Sequence, residues 1–186
     1  EGAVSADLAD EIAQIVRTLS KVVEYWRSEP ARAIEAQSKL YGRYFALWTV
    51  MMQRMAGVPV RPVAEPESRD KRFRDPQWSD NVFFDFLKQL YLITVQWAEE
   101  MVEQAEDLDP HTQLQARFYM RQIANAISPS NFPFTNPEVL RDTVDSSAEN
   151  LVRGVNMLAE DITAGGGNLK IRQSDLTAFE IGRNLA

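Results

Sequence analysis

Prolines and glycines partition this chain. Between them apolar residues recur at three- and four-residue steps, so most of its length is committed to amphipathic helices. Leu8, Ile12, Ile15, Val16, Leu19, Val22, Val23 and Trp26 trace one such stripe. It predicts a first helix from about Asp7 to Glu29, roughly 35 Å long at ~1.5 Å per residue. Pro30 either breaks that helix or opens the next, where a missing N–H is tolerated. A second helix is expected from about Ala31 to Ala56, stopped by Gly57 and Pro59. Its apolar set is Ile34, Tyr41, Tyr44, Phe45, Trp48, Met51, Met52 and Met55, widened by Leu40, Leu47 and Val50 almost around the circumference. A helix apolar on most sides must be buried between neighbours or covered by a partner.

The composition then shifts. Pro59, Pro62, Pro66 and Pro76 stand among charged residues, which reads as a linker or extended arm and as the best boundary in the chain. Ser79 or Asp80 is expected to cap a third helix of about Asn81 to Glu106, with Phe83, Phe84, Phe86, Leu87, Leu90, Tyr91, Ile93, Thr94, Trp97, Met101 and Val102 as its apolar set. Asp109-Pro110 and Asn136-Pro137 repeat one device, a capping side chain followed by a proline at the first helical position. The first opens a fourth helix, ending near Ser128-Pro129, that carries Leu114, Phe118, Tyr119, Ile123 and Ile127. The second opens a fifth, running to about Thr163, with Val139, Leu140, Val144, Leu151, Val155, Leu158 and Ile162 on its buried side. Gly165 to Gly167 would end that helix, and Leu169 to Arg172 alternates like a short extended piece. The expected fold is therefore all-α with about five helices. Residues 1–57 form an amino-terminal two-helix appendage, 58–78 an arm, 79–164 a helical core and 165–186 a short extended carboxy-terminal connector.

Charge narrows the function classes. A formal net charge of −7 argues against nucleic acid as a partner, because phosphate recognition needs a basic footprint. Residues 1–30 hold six acidic and three basic side chains, while residues 31–60 hold one acidic and four basic, so the first two helices attract one another weakly. No run of apolar residues is long enough to cross a membrane as a helix, and no secretory leader is visible. With no cysteine there is neither a disulfide framework nor a thiolate metal site, which fits a cytoplasmic protein.

Candidate chemistry is sparse. His111, the single histidine, follows a helix-starting proline and reads as an exposed first-turn residue, since no nucleophile is placed to use it. The three glycines at 165–167 follow a helix, whereas a phosphate cradle leads into one. Glu99, Glu100, Glu103, Glu106 and Asp107 read as a solvated acidic face, with docking of a basic partner as the alternative. No catalytic, cofactor-binding or metal-ligating residue is assigned. Two features suit partner binding instead. In the arm, Phe73, Arg74 and Trp78 have the make-up of a clamp, two aromatics lodging in a groove while arginines pair with carboxylates; a zwitterionic linker is the plainer reading. On the second helix, Tyr41, Tyr44, Phe45, Trp48 and Met52 form a soft aromatic surface. It fits core packing against the first helix, or binding of a partner helix or an apolar surface.

Several segments in fixed order carry a further signal: Asp70-Lys-Arg-Phe-Arg-Asp-Pro-Gln-Trp78, Leu108-Asp-Pro-His-Thr112, Ser128-Pro-Ser-Asn-Phe-Pro-Phe-Thr-Asn-Pro137, Gly165-Gly-Gly-Asn-Leu-Lys-Ile-Arg172 and Phe179-Glu-Ile-Gly-Arg-Asn-Leu-Ala186. Over roughly the last two-thirds of the chain, this set resembles the amino-terminal domain of class I polyhydroxyalkanoate synthases. The resemblance implies a parent acyltransferase that polymerises (R)-3-hydroxyacyl-CoA into polyester with release of CoA. Its nucleophile is a cysteine in a separate α/β-hydrolase-like domain. A chain without cysteine, and without a Gly-x-Ser-x-Gly elbow, is on this reading a non-catalytic helper domain. The implied roles are support of dimerisation and activity, and attachment to the polyester granule or its associated proteins. The implied partners are the catalytic domain, a second copy and the granule. What carries over by residue is Phe73, Asp75, Trp78, the 128–137 loop and 180–186; the first sixty residues match no recognisable pattern.

Two other readings stand beside it. One is a free-standing, phasin-like granule-coat or adaptor protein. A chain that starts without methionine and stops in an apolar segment (Leu176, Phe179, Ile181, Leu185) favours the synthase piece over it. The other, weaker, is an enzyme using carboxylates.

Overall fold

The structure is a computed structural model that describes residues 2–146 and 148–164, with side chains over 9–146 and 148–163. Among the described residues there are seven α-helices, one 3-10 turn and no strand. They are α1 (Gly2–Ser28), α2 (Pro30–Met55), α3 (Gln77–Asp80), α4 (Val82–Glu103), α5 (Pro110–Ala126), the 3-10 turn Pro129–Asn131, α6 (Pro137–Asp145) and α7 (Glu149–Ala164). The all-α expectation holds, with the helix count raised from five by α3 and by a break in the fifth helix. The Gly165–Gly167 stop, the extended piece at 169–172 and the connector 165–186 lie outside the described residues. The chain groups into two compact units, residues 1–138 and 139–186.

In the first unit the helix ends follow local chemistry. Pro30 takes the first position of α2 rather than breaking the chain. Gly57, at φ 76°, closes α2: its N–H reaches the Arg54 carbonyl, and the Val58 N–H reaches that of Gln53. This paired closure requires a left-handed residue, which glycine supplies at little cost. Asp109 caps α5 by accepting from the Thr112 N–H at 3.0 Å. The cap of α4 differs from expectation. Asn81 fills that place, not Ser79 or Asp80, accepting from the Phe83 and Phe84 N–H groups. Ser79 and Asp80 belong to α3 instead.

Helix α4 is the centre of this unit, packing against α2, α3 and α5. One core cluster joins Leu40 and Leu47 of α2, Ala64 and Phe73 of the arm, Trp78 of α3, and Tyr91, Leu92 and Ile93 of α4. A second joins Val22, Tyr25 and Trp26 of α1 to Val102, Ala105 and Ala116. Buried aromatics tie the helices by their polar tips, as such side chains must when covered. The Trp26 indole donates to the Met101 carbonyl at 2.9 Å, the Trp97 indole to Ala36 at 3.2 Å, and the Tyr91 hydroxyl to Ala124 at 2.9 Å. Helix α5 approaches with small residues, Thr112, Ala116 and Ala124, and leaves Leu114, Phe118, Ile123 and Ile127 exposed.

The second unit corrects the expectation of one helix from Asn136 to Thr163. It breaks at 146–148, where Ala148 stands at φ 70° and its N–H bonds back to the Thr143 carbonyl at 2.7 Å. The Asn150 amide also reaches Thr143 Oγ1, at 2.9 Å. Serines compete with helical backbone bonding, and a left-handed residue ends a helix whatever follows. The face expected to be buried is also corrected: Val144, Val155, Leu158 and Ile162 are exposed. Helices of 9 and 16 residues are too small to enclose a core of their own.

Candidate interaction surface

The eight residues singled out from sequence separate into two environments. Phe73 and Trp78 are buried, 8% and 1% exposed, with their rings edge to face at 5.0 Å. They fill the chain's own core and have little surface left to offer a partner. Arg74 is exposed on the arm beside them. Tyr44 is half-buried, its hydroxyl 2.8 Å from Thr94 Oγ1 on α4. Tyr41, Phe45, Trp48 and Met52 are 50–73% exposed, together with Ile34 and Met55 of the same helix. The structure thus brings the α2 group together as one outward stripe and leaves the arm pair inside.

What holds the arm down is a polar cluster that the sequence conceals. The Gln89 side chain of α4, 1% exposed, accepts the backbone N–H groups of Val63 at 2.6 Å and Ala64 at 3.2 Å, and donates to Asp85 at 2.7 Å. Asp85 is also paired with Arg54 of α2 and with Lys88 at 2.9 Å. Lys88 in turn donates to the Trp78 carbonyl at 2.7 Å. Buried charges persist only when paired and hydrogen-bonded, and here every member has partners. The cluster joins α2, α3, α4 and the arm at one place.

A second clasp is Arg72. It makes a two-pronged contact with Asp70 at 2.8 and 2.9 Å, donates to the Tyr91 hydroxyl at 2.8 Å, and stacks on the Phe73 and Tyr91 rings. The guanidinium holds the Asp70 carboxyl below the usual carboxylate range, partial burial opposing it. Asp70 in turn raises the affinity of Arg72 for its proton. Of the arm's arginines, Arg72 is therefore spent within the chain.

The acidic end of α4 is answered from neighbouring helices. Glu100 pairs with Arg43 at 2.8 Å, Glu106 with Arg32 at 3.3 Å and Glu103 with Arg117 at 3.4 Å. These exposed pairs contribute about 0–1 kcal/mol each and chiefly orient the helices. Among the described residues no cluster of histidine and carboxylate side chains is grouped as a metal site would require. None of the described helices is long and apolar enough to cross a membrane.

Among the described residues the fold and surface define a class, an all-α domain with an exposed aromatic stripe on α2. Comparison with known proteins gives the family. Residues 69–186 match the family described as poly-beta-hydroxybutyrate polymerase (PhaC) N-terminus, and the chain belongs to it. It is 51% identical over 185 residues to the poly(3-hydroxyalkanoate) polymerase subunit PhaC of Rhizobium meliloti (strain 1021), covering 100% of this chain and 30% of that protein. Against the poly(3-hydroxyalkanoate) polymerase of Methylorubrum extorquens it is 49% identical over 178 residues, covering 96% and 29%. Against the Cupriavidus necator polymerase subunit PhaC it is 34% identical over 157 residues, covering 84% and 25%. The chain thus spans about 30% of the length of its relatives and corresponds to their amino-terminal region. The first sixty residues, without a recognisable pattern in the sequence alone, are included in the Rhizobium alignment. No solved structure matches the chain.

Proposed function

We propose that this chain is the non-catalytic amino-terminal domain of a cytoplasmic polyhydroxyalkanoate polymerase. It supports dimerisation and activity of an enzyme that transfers (R)-3-hydroxyacyl groups from CoA to a growing polyester, and its association with the granule or granule-bound proteins. The observation that carries this reading is the α2 stripe. Tyr41, Phe45, Trp48 and Met52 stand exposed on a helix whose opposite side is already packed, inside a chain whose relatives are polymerases more than three times as long. Contiguous exposed apolar surface of this kind marks a docking site. The absence of cysteine supports leaving bond formation to the remainder of the polymerase, where the family resemblance puts a cysteine nucleophile. Relatives named as polymerases favour this reading over the coat protein. Residues 165–186 are proposed to lead toward the catalytic region.

The test is to add this chain in trans to a separately prepared catalytic region and follow CoA release from (R)-3-hydroxybutyryl-CoA. A saturable rise in rate is expected. An unchanged rate across a wide range of chain concentration counts against the proposal.

A further inference from the structure

We infer that the loop 128–137 is a pre-shaped knob that seats Phe132 and Phe134 in an apolar slot on the catalytic region of the same polymerase. The inference rests on the reading of the chain as a domain that supports a separate catalytic region. It gives that contact a surface distinct from the α2 stripe.

The loop is pinned throughout. Pro129, Pro133 and Pro137 each fix one backbone torsion. Asn131 clips the loop to the end of α5, its amide donating to the Asn125 carbonyl at 2.7 Å and the Ala126 carbonyl at 3.2 Å. The far side is tied back to the start: Thr135 Oγ1 donates to the Pro129 carbonyl at 2.7 Å, and the Asn136 amide to the Ser130 carbonyl at 2.8 Å. The Ser128 and Ser130 hydroxyls meet at 2.8 Å, Ser128 is fully buried, and the 3-10 turn packs on α4. These polar side chains close on the loop itself or on the helix before it, as Asn, Ser and Thr do in tight turns.

What the pinning holds up is apolar. Phe134 is 78% exposed, the highest value among the large apolar side chains described, and Phe132 is 48% exposed. Ile123 and Ile127, one turn apart at the end of α5, are exposed just before the loop. A connection between two helices needs only polar turn residues. Rings left in water give the domain little burial of their own and gain it on docking.

Shape selects the occupant. A fixed loop has already lost the freedom that docking would otherwise take from it, and aromatic anchors in closed pockets carry most of the energy of specific protein interfaces. An apolar polymer surface would accept a loose loop equally well, so the fixed shape favours a slot on a protein. A second copy suits a knob poorly. A two-fold interface through the loop would set knob against knob, and a head-to-tail one runs on into a filament unless its rotation closes. The catalytic region remains. The loop lies inside the stretch 69–186 that matches the polymerase family, whereas the α2 stripe precedes that stretch. In the polymerases compared, the partner that accompanies this stretch is the remainder of the same chain, about 70% of its length.

Hydroxyl-radical footprinting tests this on the isolated 186-residue chain and on the full-length polymerase, with Val16 and Val23 of α1 as the internal reference. Phe132 and Phe134 should be labelled in the isolated chain and shielded several-fold in the full-length enzyme without polyester present. In the trans assay, F134A should raise the chain concentration that gives half the full acceleration by roughly tenfold or more, the loss expected of an aromatic anchor. Helical circular dichroism should be retained, since the ring is mostly in water. Equal labelling of Phe134 in the two proteins would overturn the inference. So would shielding that appears only on adding polyester, shielding in the isolated chain that grows with its concentration, or an F134A curve that overlays the native one. Phe134 left open in a polymerase that the chain still accelerates in trans removes the knob and leaves the helper-domain reading standing. A chain with no effect in trans removes both.

Discussion

Replacing Gln89 by leucine isolates the fastening that holds the arm against α4. The substitution keeps an apolar side chain of similar size at a position 1% exposed, but removes the acceptor shared by the Val63 and Ala64 N–H groups and the donor to Asp85. If the arm stayed in place, two covered backbone donors would lack partners, at about 1–3 kcal/mol each. The arm has another option, which is to lift off and let water satisfy them. Lifting exposes Phe73, at about 1.5–3 kcal/mol for a large apolar side chain, and Ala64 for less. The cheaper route sets a ceiling, so Q89L should destabilise the chain by roughly 2–4 kcal/mol, a range bounded by these two costs. Urea unfolding gives the magnitude. Limited trypsin digestion at Arg69 and Lys71 tells whether the arm detaches, and cleavage there should accelerate before global unfolding. A loss below about 1 kcal/mol together with unchanged cleavage would show that Gln89 is not the fastener, since one net hydrogen bond alone contributes about that much.

Asp85→Asn should cost more than a surface ion pair, about 3–5 kcal/mol by denaturant titration, because it leaves the enclosed Lys88 and the largely covered Arg54 without a counter-charge. Acid stability should depend on Asp70. Its carboxyl is held below the usual range, so its contribution is complete above the unfolded value of about 4 and is lost as pH falls from there through the lower folded value. D70N should flatten the stability curve in that acid window and lower stability at neutral pH; equal acid slopes for the two proteins would contradict this. Ala148→Gly should steady the α6–α7 corner by up to about 1 kcal/mol, since φ 70° is strained for alanine and free for glycine. Slower amide exchange in 139–164 is the readout.

Helix ends were legible where the sequence supplies both a cap and a proline, as at Asp109-Pro110, because those signals act within one turn and need no tertiary partner. The orientation of α2 was not. The helix is apolar on two sides, and which side turns inward depends on what α4 offers: Thr94 for Tyr44, Glu100 for Arg43, and space for Leu40 and Leu47. Hydrophobicity alone would have buried the larger stripe. From sequence the arm reads as a linker because it has few apolar residues, yet its anchors are polar groups elsewhere in the chain. Asp85, Lys88 and Gln89 look like ordinary helix-surface residues until four segments converge on them. Likewise the acidic run from Glu99 reads as solvated face, and the arginines that meet three of its members come from α2 and α5. Of the aromatics marked for docking, the α2 set remains at the surface, and Phe73 and Trp78 are used to build the domain itself.

The division of labour between docking here and chemistry elsewhere is tested most directly by measuring CoA release from (R)-3-hydroxybutyryl-CoA by the purified 186-residue chain with no other protein present. A rate equal to that of buffer at every chain concentration is the predicted result. Release that rises in proportion to the chain would contradict the account, whatever partner α2 proves to hold.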